Sequence, residues 1–145
     1  MAFRFPLAAV LRVREIVEKR EERALQKVQL EMSRILRQIE ELNALMVNAH
    51  GEWETELQQT IPAGHLHTMM WEIQAAEEKK KILLQHLQVL EEQRDKQMKV
   101  YQVAHRDREM ITDIFEQQSD AHKQEQARTQ QKTLDDIFIA RRPRS

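Results

Sequence analysis

The sequence has no cysteine, two glycines and three prolines among 145 residues. Without cysteine there are no disulfides, no thiolate zinc sites and no cysteine nucleophile, a pattern that fits a cytosolic protein. Two glycines cannot punctuate a many-stranded sheet or form a phosphate-cradling Gly-x-Gly-x-x-Gly loop, which sets aside all-β and nucleotide-binding α/β folds. Aromatic residues are only 5%, too few for a thick globular core. A charge excess is also missing: the net charge is -1, whereas a general nucleic-acid binder needs a basic surplus. The longest apolar run, Leu7-Ala8-Ala9-Val10-Leu11, falls far short of the roughly 20 residues of a membrane span. Arg12 and Arg14 follow it too closely for a secretory signal.

What remains is helix-forming. Ala, Glu, Lys, Leu and Arg supply 68 residues, or 47%, and 17 glutamines extend the bias. That composition suits a narrow apolar seam between long helices. One strong break interrupts it, at Thr60-Ile61-Pro62-Ala63-Gly64. Proline disfavours the α conformation at Ile61, and Gly64 would let the backbone turn. The expected fold is all-α, a single domain over 1–145: helix 1 at about 5–59, a turn at 60–65, helix 2 at 66–140 and a basic tail at 141–145. The two helices form an antiparallel coiled-coil hairpin.

The first arm carries a heptad seam at Leu25, Val28, Met32, Ile35, Ile39, Leu42, Met46, Ala49 and Trp53, spaced by alternating steps of three and four. Nearer the N-terminus the stripe moves to Leu7, Val10, Val17 and Ala24. Joining it through Val28 and Met32 requires a stutter. The second arm reads from Leu66 through Met69, Ile73, Ala76, Leu83, Leu87, Leu90, Tyr101, Ala104, Ile111 and Phe115. Lys80, Arg94, Gln97, Arg108 and Gln118 interrupt that seam, and such polar positions fix register at a cost in affinity.

A turn centred between residues 62 and 63 makes residue 5 face residue 120, so helix 2 overhangs by about 20 residues, or about 30 Å. Residues 119–133 are almost wholly polar, as an unpaired helix should be, and then Leu134, Ile137, Phe138 and Ile139 appear. Apolar residues with no hairpin surface to cover point to docking of another protein. Charge is segregated as well. Residues 1–14 and 137–145 hold Arg4, Arg12, Arg14, Arg141, Arg142 and Arg144 and no acid. Between Arg37 and Lys79 there is no Lys or Arg, only Glu40, Glu41, Glu52, Glu54, Glu56, Glu72, Glu77 and Glu78. A basic open end and an acidic tip suit oriented assembly.

Chemistry has little support. Only His65 and His67 lie close together, with no His-Glu-x-x-His arrangement, which is a weak metal signal. Two exposed helices offer no enclosed pocket for acid–base work. No enzyme, metal or cofactor is expected. Trp53 falls on the seam, whereas Trp71 falls outward, beside Met70 and close to the off-seam Leu45 and Val47. An apolar surplus around an acidic tip reads as a protein-binding patch.

The opening FRFPLAAVLRVREIVEKREERAL and the closing QKTLDDIFIARRPRS resemble the FliJ family of the bacterial flagellar type III export apparatus. The resemblance implies a cytoplasmic, non-catalytic protein, peripheral to the membrane at the cytoplasmic face of the flagellar basal body. It further implies an antiparallel coiled coil shaped like the γ stalk of rotary ATPases. Such proteins bind the hexameric export ATPase, promote its assembly and activity, and couple it to the membrane export gate and to export chaperones. By that resemblance the ATPase-binding residues are Phe3, Arg4, Phe5, Leu7, Arg12, Arg14, Leu134, Ile137, Phe138, Arg141 and Arg142. The gate-binding residues are Leu42, Met46, Ala49, Trp53, Met70, Trp71 and Ile73. The alternatives are a passive coiled-coil scaffold that self-associates, or the equivalent stalk of a virulence-type secretion system.

Overall fold

The structure, a computed structural model, describes residues 2–58 and 63–141. It contains two helices, α1 (Ala8–Leu57) and α2 (Ala63–Arg141), and no strand among the described residues. The fold is an all-α helical hairpin. Of the expected turn, Thr60, Ile61 and Pro62 lie outside the described residues, as do Arg142, Arg144 and the rest of the tail after Arg141. Gly64 is not a turn residue: it sits in the first turn of α2, and no glycine has positive φ.

The contacts divide the chain into two units, 21–100 and 1–20 with 101–145. In the first, which carries the turn, the seam is apolar. Leu25, Met32, Ile35 and Ile39 of α1 are buried, as are Met69, Ile73, Ala76 and Leu90 of α2. Leu90, 2% exposed, packs with Met32, Ile35 and Ile39, and Val28, Leu83 and Leu87 close around them. At roughly 25 cal/mol per Å² of apolar area removed from water, this seam is what holds the two helices together. The antiparallel register is pinned at one end by His65 Nε2, 3.2 Å from Glu56 Oε1. At the other, Gln97 Nε2 donates to the carbonyl (3.0 Å) and the carboxylate (2.6 Å) of Glu21.

In the second unit, among the described residues, only Ala104 is buried. Here the seam is polar. Arg108 Nε donates to Glu18 Oε2 at 2.6 Å, and Arg14 Nη1 to Asp107 Oδ2 at 3.4 Å. This corrects the expected apolar path at one place: Val10 is exposed at 39% while Leu11 turns inward. Val17 and Glu18 are both half-buried, so a charged residue shares the seam there. Leu25 is buried as expected, with Ala24 half-buried beside it. The heptad spacing of Leu11, Glu18 and Leu25 needs no stutter; charged residues simply occupy seam positions and find partners there.

Candidate functional site

Two surfaces answer to the residues singled out from the sequence, one in each unit. The terminal unit opens with an extended segment, Ala2–Phe5, followed by a turn at Pro6-Leu7. The Ala8 amide donates to the Phe5 carbonyl at 3.1 Å, which places Pro6 where its fixed φ suits a β-turn that leads into a helix. Side chains alternate along an extended segment: Phe3 and Phe5 turn toward α2 and Arg4 turns to solvent. Phe5 meets Phe115 edge-on with ring centroids 5.2 Å apart, and Phe3 lies 5.8 Å from Phe115 and 5.3 Å from His122. Such aromatic pairs add about 0.5–1.5 kcal/mol beyond their buried area. Phe3 and Phe5 thus form a strap over the last paired turns of α2. Leu7 is half-buried below them.

Beyond His122, every residue of α2 from 123 to 141 is exposed. These nineteen exposed residues extend about 28 Å at 1.5 Å per residue. Leu134, Ile137 and Phe138 stand out from them, Phe138 at 74% exposure. Arg12 and Arg141 are exposed, and Arg14 is shared with Asp107. Glu18 binds Arg108 from one side, and His105 lies within 3.7 Å of Glu18 and 3.6 Å of Glu109. The hydrogen bond to Glu18 holds the Arg108 guanidinium above its usual range, against a smaller opposing effect of burial. This arginine stays charged and works as a register pin.

In the turn-bearing unit, Ile73 is buried at 8% exposure, and Leu42, Met46, Ala49 and Trp53 are half-buried along the seam. Met70 and Trp71 face solvent, Trp71 at 67%. The seven expected gate-binding residues therefore split into a covered set and an open pair. A groove beside the seam is lined by His50, Trp53, Met70, Ile73, Gln74 and Glu77. It adjoins a second lined by Met46, Val47, Lys80, Lys81 and Leu84, with His50 and Glu77 common to both. Sequence reasoning marked Val47 as off the seam but missed the groove, since Gln74 and Glu77 read as ordinary solvated positions. Nothing in the sequence paired Arg14 with Asp107 or seated Phe3 on Phe115.

Among the described residues no group of three His, Asp or Glu side chains is placed to hold a metal ion. No described helix is long and apolar enough to cross a membrane. The family model described as Flagellar FliJ protein matches residues 3–144. The chain belongs to the FliJ family. FliJ proteins are non-catalytic components of the flagellar protein export apparatus, and membership gives the chain that place. The match takes in both terminal stretches, including the aromatic strap and the overhang. No curated protein and no solved structure matches the chain.

Proposed function

We propose that the chain is the coupling stalk of the flagellar export ATPase. The terminal unit enters the hexameric ring and promotes its assembly and activity. The turn-bearing unit meets the membrane export gate, and export chaperones are handled on the same protein. On this reading it works in the cytoplasm, peripherally, at the cytoplasmic face of the basal body. One observation carries the reading: a wholly exposed stretch of α2 whose apolar residues stand at i, i+3 and i+4, at Leu134, Ile137 and Phe138. That is the spacing by which a helix anchors in a partner's groove. Arg141 adds positive charge beside the anchors, and Arg4, Arg12, Phe3, Phe5 and Leu7 offer a second contact at the paired end, where Phe3 and Phe5 sit on Phe115 and His122. At the gate, Met70 and Trp71 make first contact, and Leu42, Met46, Ala49, Trp53 and Ile73 set their backing.

The test is the ATP hydrolysis rate of the cognate export ATPase with and without this protein at matched concentration. Stimulation together with hexamer formation is expected. Arg141→Glu combined with Arg142→Glu should weaken stimulation and leave helicity unchanged. No stimulation by a folded protein would remove the ring reading.

A further inference from the structure

The two flanks of the seam in the terminal unit are unlike each other. On one flank the side chains are polar and bonded. Glu18 holds Arg108, His105 lies between Glu18 and Glu109, and Thr112 Oγ1 accepts from Arg108 Nη1 at 3.3 Å. On the other flank the heptad places Val10, Val13 and Val17 of α1, with Ile16 at the outer edge, beside Val103, Met110 and Ile114 of α2. Val13, Ile16, Val103 and Met110 are each more than half exposed. This apolar flank is the one on which Arg14 reaches across the seam to Asp107, a half-exposed ion pair of 3.4 Å.

The ion pair sits at the centre of that face. Val10 comes four residues before Arg14, and Met110 three after Asp107. Val17 comes three after Arg14, and Val103 four before Asp107. In an antiparallel pair each step up one helix is a step down the other. Val10 with Met110, and Val17 with Val103, therefore bracket the charges about one helical turn to either side.

We infer that this face is the contact between two copies of the chain, stacked about a twofold axis that runs parallel to the helices. Such an axis sets α1 of one copy over α2 of the other at the same level. Val10 then meets Met110 of the second copy and Val17 meets its Val103, and each contact occurs twice. Charge selects this arrangement. Arg14 of each copy lies over Asp107 of the other, so two positive and two negative charges alternate. With α1 over α1 instead, the same faces would set Arg14 against Arg14 and Asp107 against Asp107. The helices agree as wholes. Between residues 8 and 20, α1 carries Arg12, Arg14, Lys19 and Arg20 against Glu15 and Glu18. Between 101 and 120, α2 carries Asp107, Glu109, Asp113, Glu116 and Asp120 against Arg106 and Arg108. A face of this size buries on the order of 1,000 Å² across both copies, the lower end for a specific interface, so the dimer is weak and dissociates in the micromolar range. The twofold closes the contact, and assembly stops at two. Mass alone reads the dimer, so the inference can fail while ATPase stimulation stands, and the reverse.

Sedimentation velocity is the first test. The wild-type mass should rise from monomer to dimer through the micromolar range and go no further. Val13→Lys with Met110→Lys should stay monomeric at wild-type helicity by circular dichroism, since both side chains are exposed. The lack of native cysteine makes the arrangement readable by cross-linking. A Val10→Cys variant and a Met110→Cys variant should each stay unlinked under mild oxidation. Their mixture should give a disulfide-linked dimer with one chain of each. The inference is overturned by a wild type that stays monomeric or grows beyond a dimer, or by a lysine variant that associates as the wild type does. Single variants that link alone, or a mixture that stays unlinked, would overturn it equally.

Discussion

The two units use the same pair of helices in opposite ways. In 21–100 eight of the described side chains are buried, all apolar, and the helices meet through Leu90 and its neighbours. In the terminal unit one alanine is buried among the described residues, and the contact is made by Glu18–Arg108, Arg14–Asp107 and the Phe3–Phe5–Phe115 cluster. Apolar contact is strong and forgiving of register, whereas charged pairs at half-exposed sites add little free energy but admit few alternative pairings. The turn-bearing unit therefore supplies stability. The terminal unit supplies a defined register and a helix left open for something else.

That contrast can be broken in order of effect. Leu90→Ala should cost about 2–4 kcal/mol, because its side chain is enclosed by Met32, Ile35 and Ile39. Denaturant unfolding reads it, and a loss below about 1 kcal/mol would mean that the apolar seam is not the main source of stability. Glu18→Ala should cost less, about 1–2 kcal/mol after allowance for partial exposure, by leaving Arg108 without its shortest partner. The double change Glu18→Leu with Arg108→Leu should recover that loss while loosening register, seen as a broadened distance distribution between spin labels on the two helices. If the double variant keeps a narrow distribution, the polar seam does not set register.

Smaller effects sharpen the comparison. Phe3→Ala with Phe5→Ala should cost about 1–2 kcal/mol and speed amide hydrogen exchange around Phe115 and His122, leaving the turn-bearing unit unchanged. Exchange that is equally fast in the wild type would dispose of the strap. Trp71→Ala should change stability by no more than about 0.5 kcal/mol, as expected of an exposed side chain, yet weaken gate binding. A large drop in melting temperature would make Trp71 a packing residue instead.

Much of this was legible from spacing alone. Leu25 through Trp53 lie inward in the structure at the positions that the heptad repeat assigns them, and the exposed stretch after His122 follows from unequal arm lengths. The path before Leu25 was legible only in part, for a physical reason. A stripe traced through apolar residues skips charged ones, so Val10 was followed where Leu11 turns inward, and Glu18, half-buried beside Val17, was passed over. Arg108 and Gln97 could be recognised as seam exceptions, but their partners Glu18 and Glu21 lie 90 and 76 residues away, where only the fold brings them together. The strap was hidden similarly. Phe3 and Phe5 are aromatic residues near a basic N-terminus, and nothing local tells a side chain that docks outward from one that seats on Phe115.

The most direct test of the division of labour is amide hydrogen exchange of the whole chain with and without the cognate export ATPase hexamer. Residues 123–141 should exchange fast in the free protein and become protected when the ring is present, with residues 25–90 little altered. Protection confined to the turn-bearing unit, with 123–141 still exchanging freely, would contradict the account.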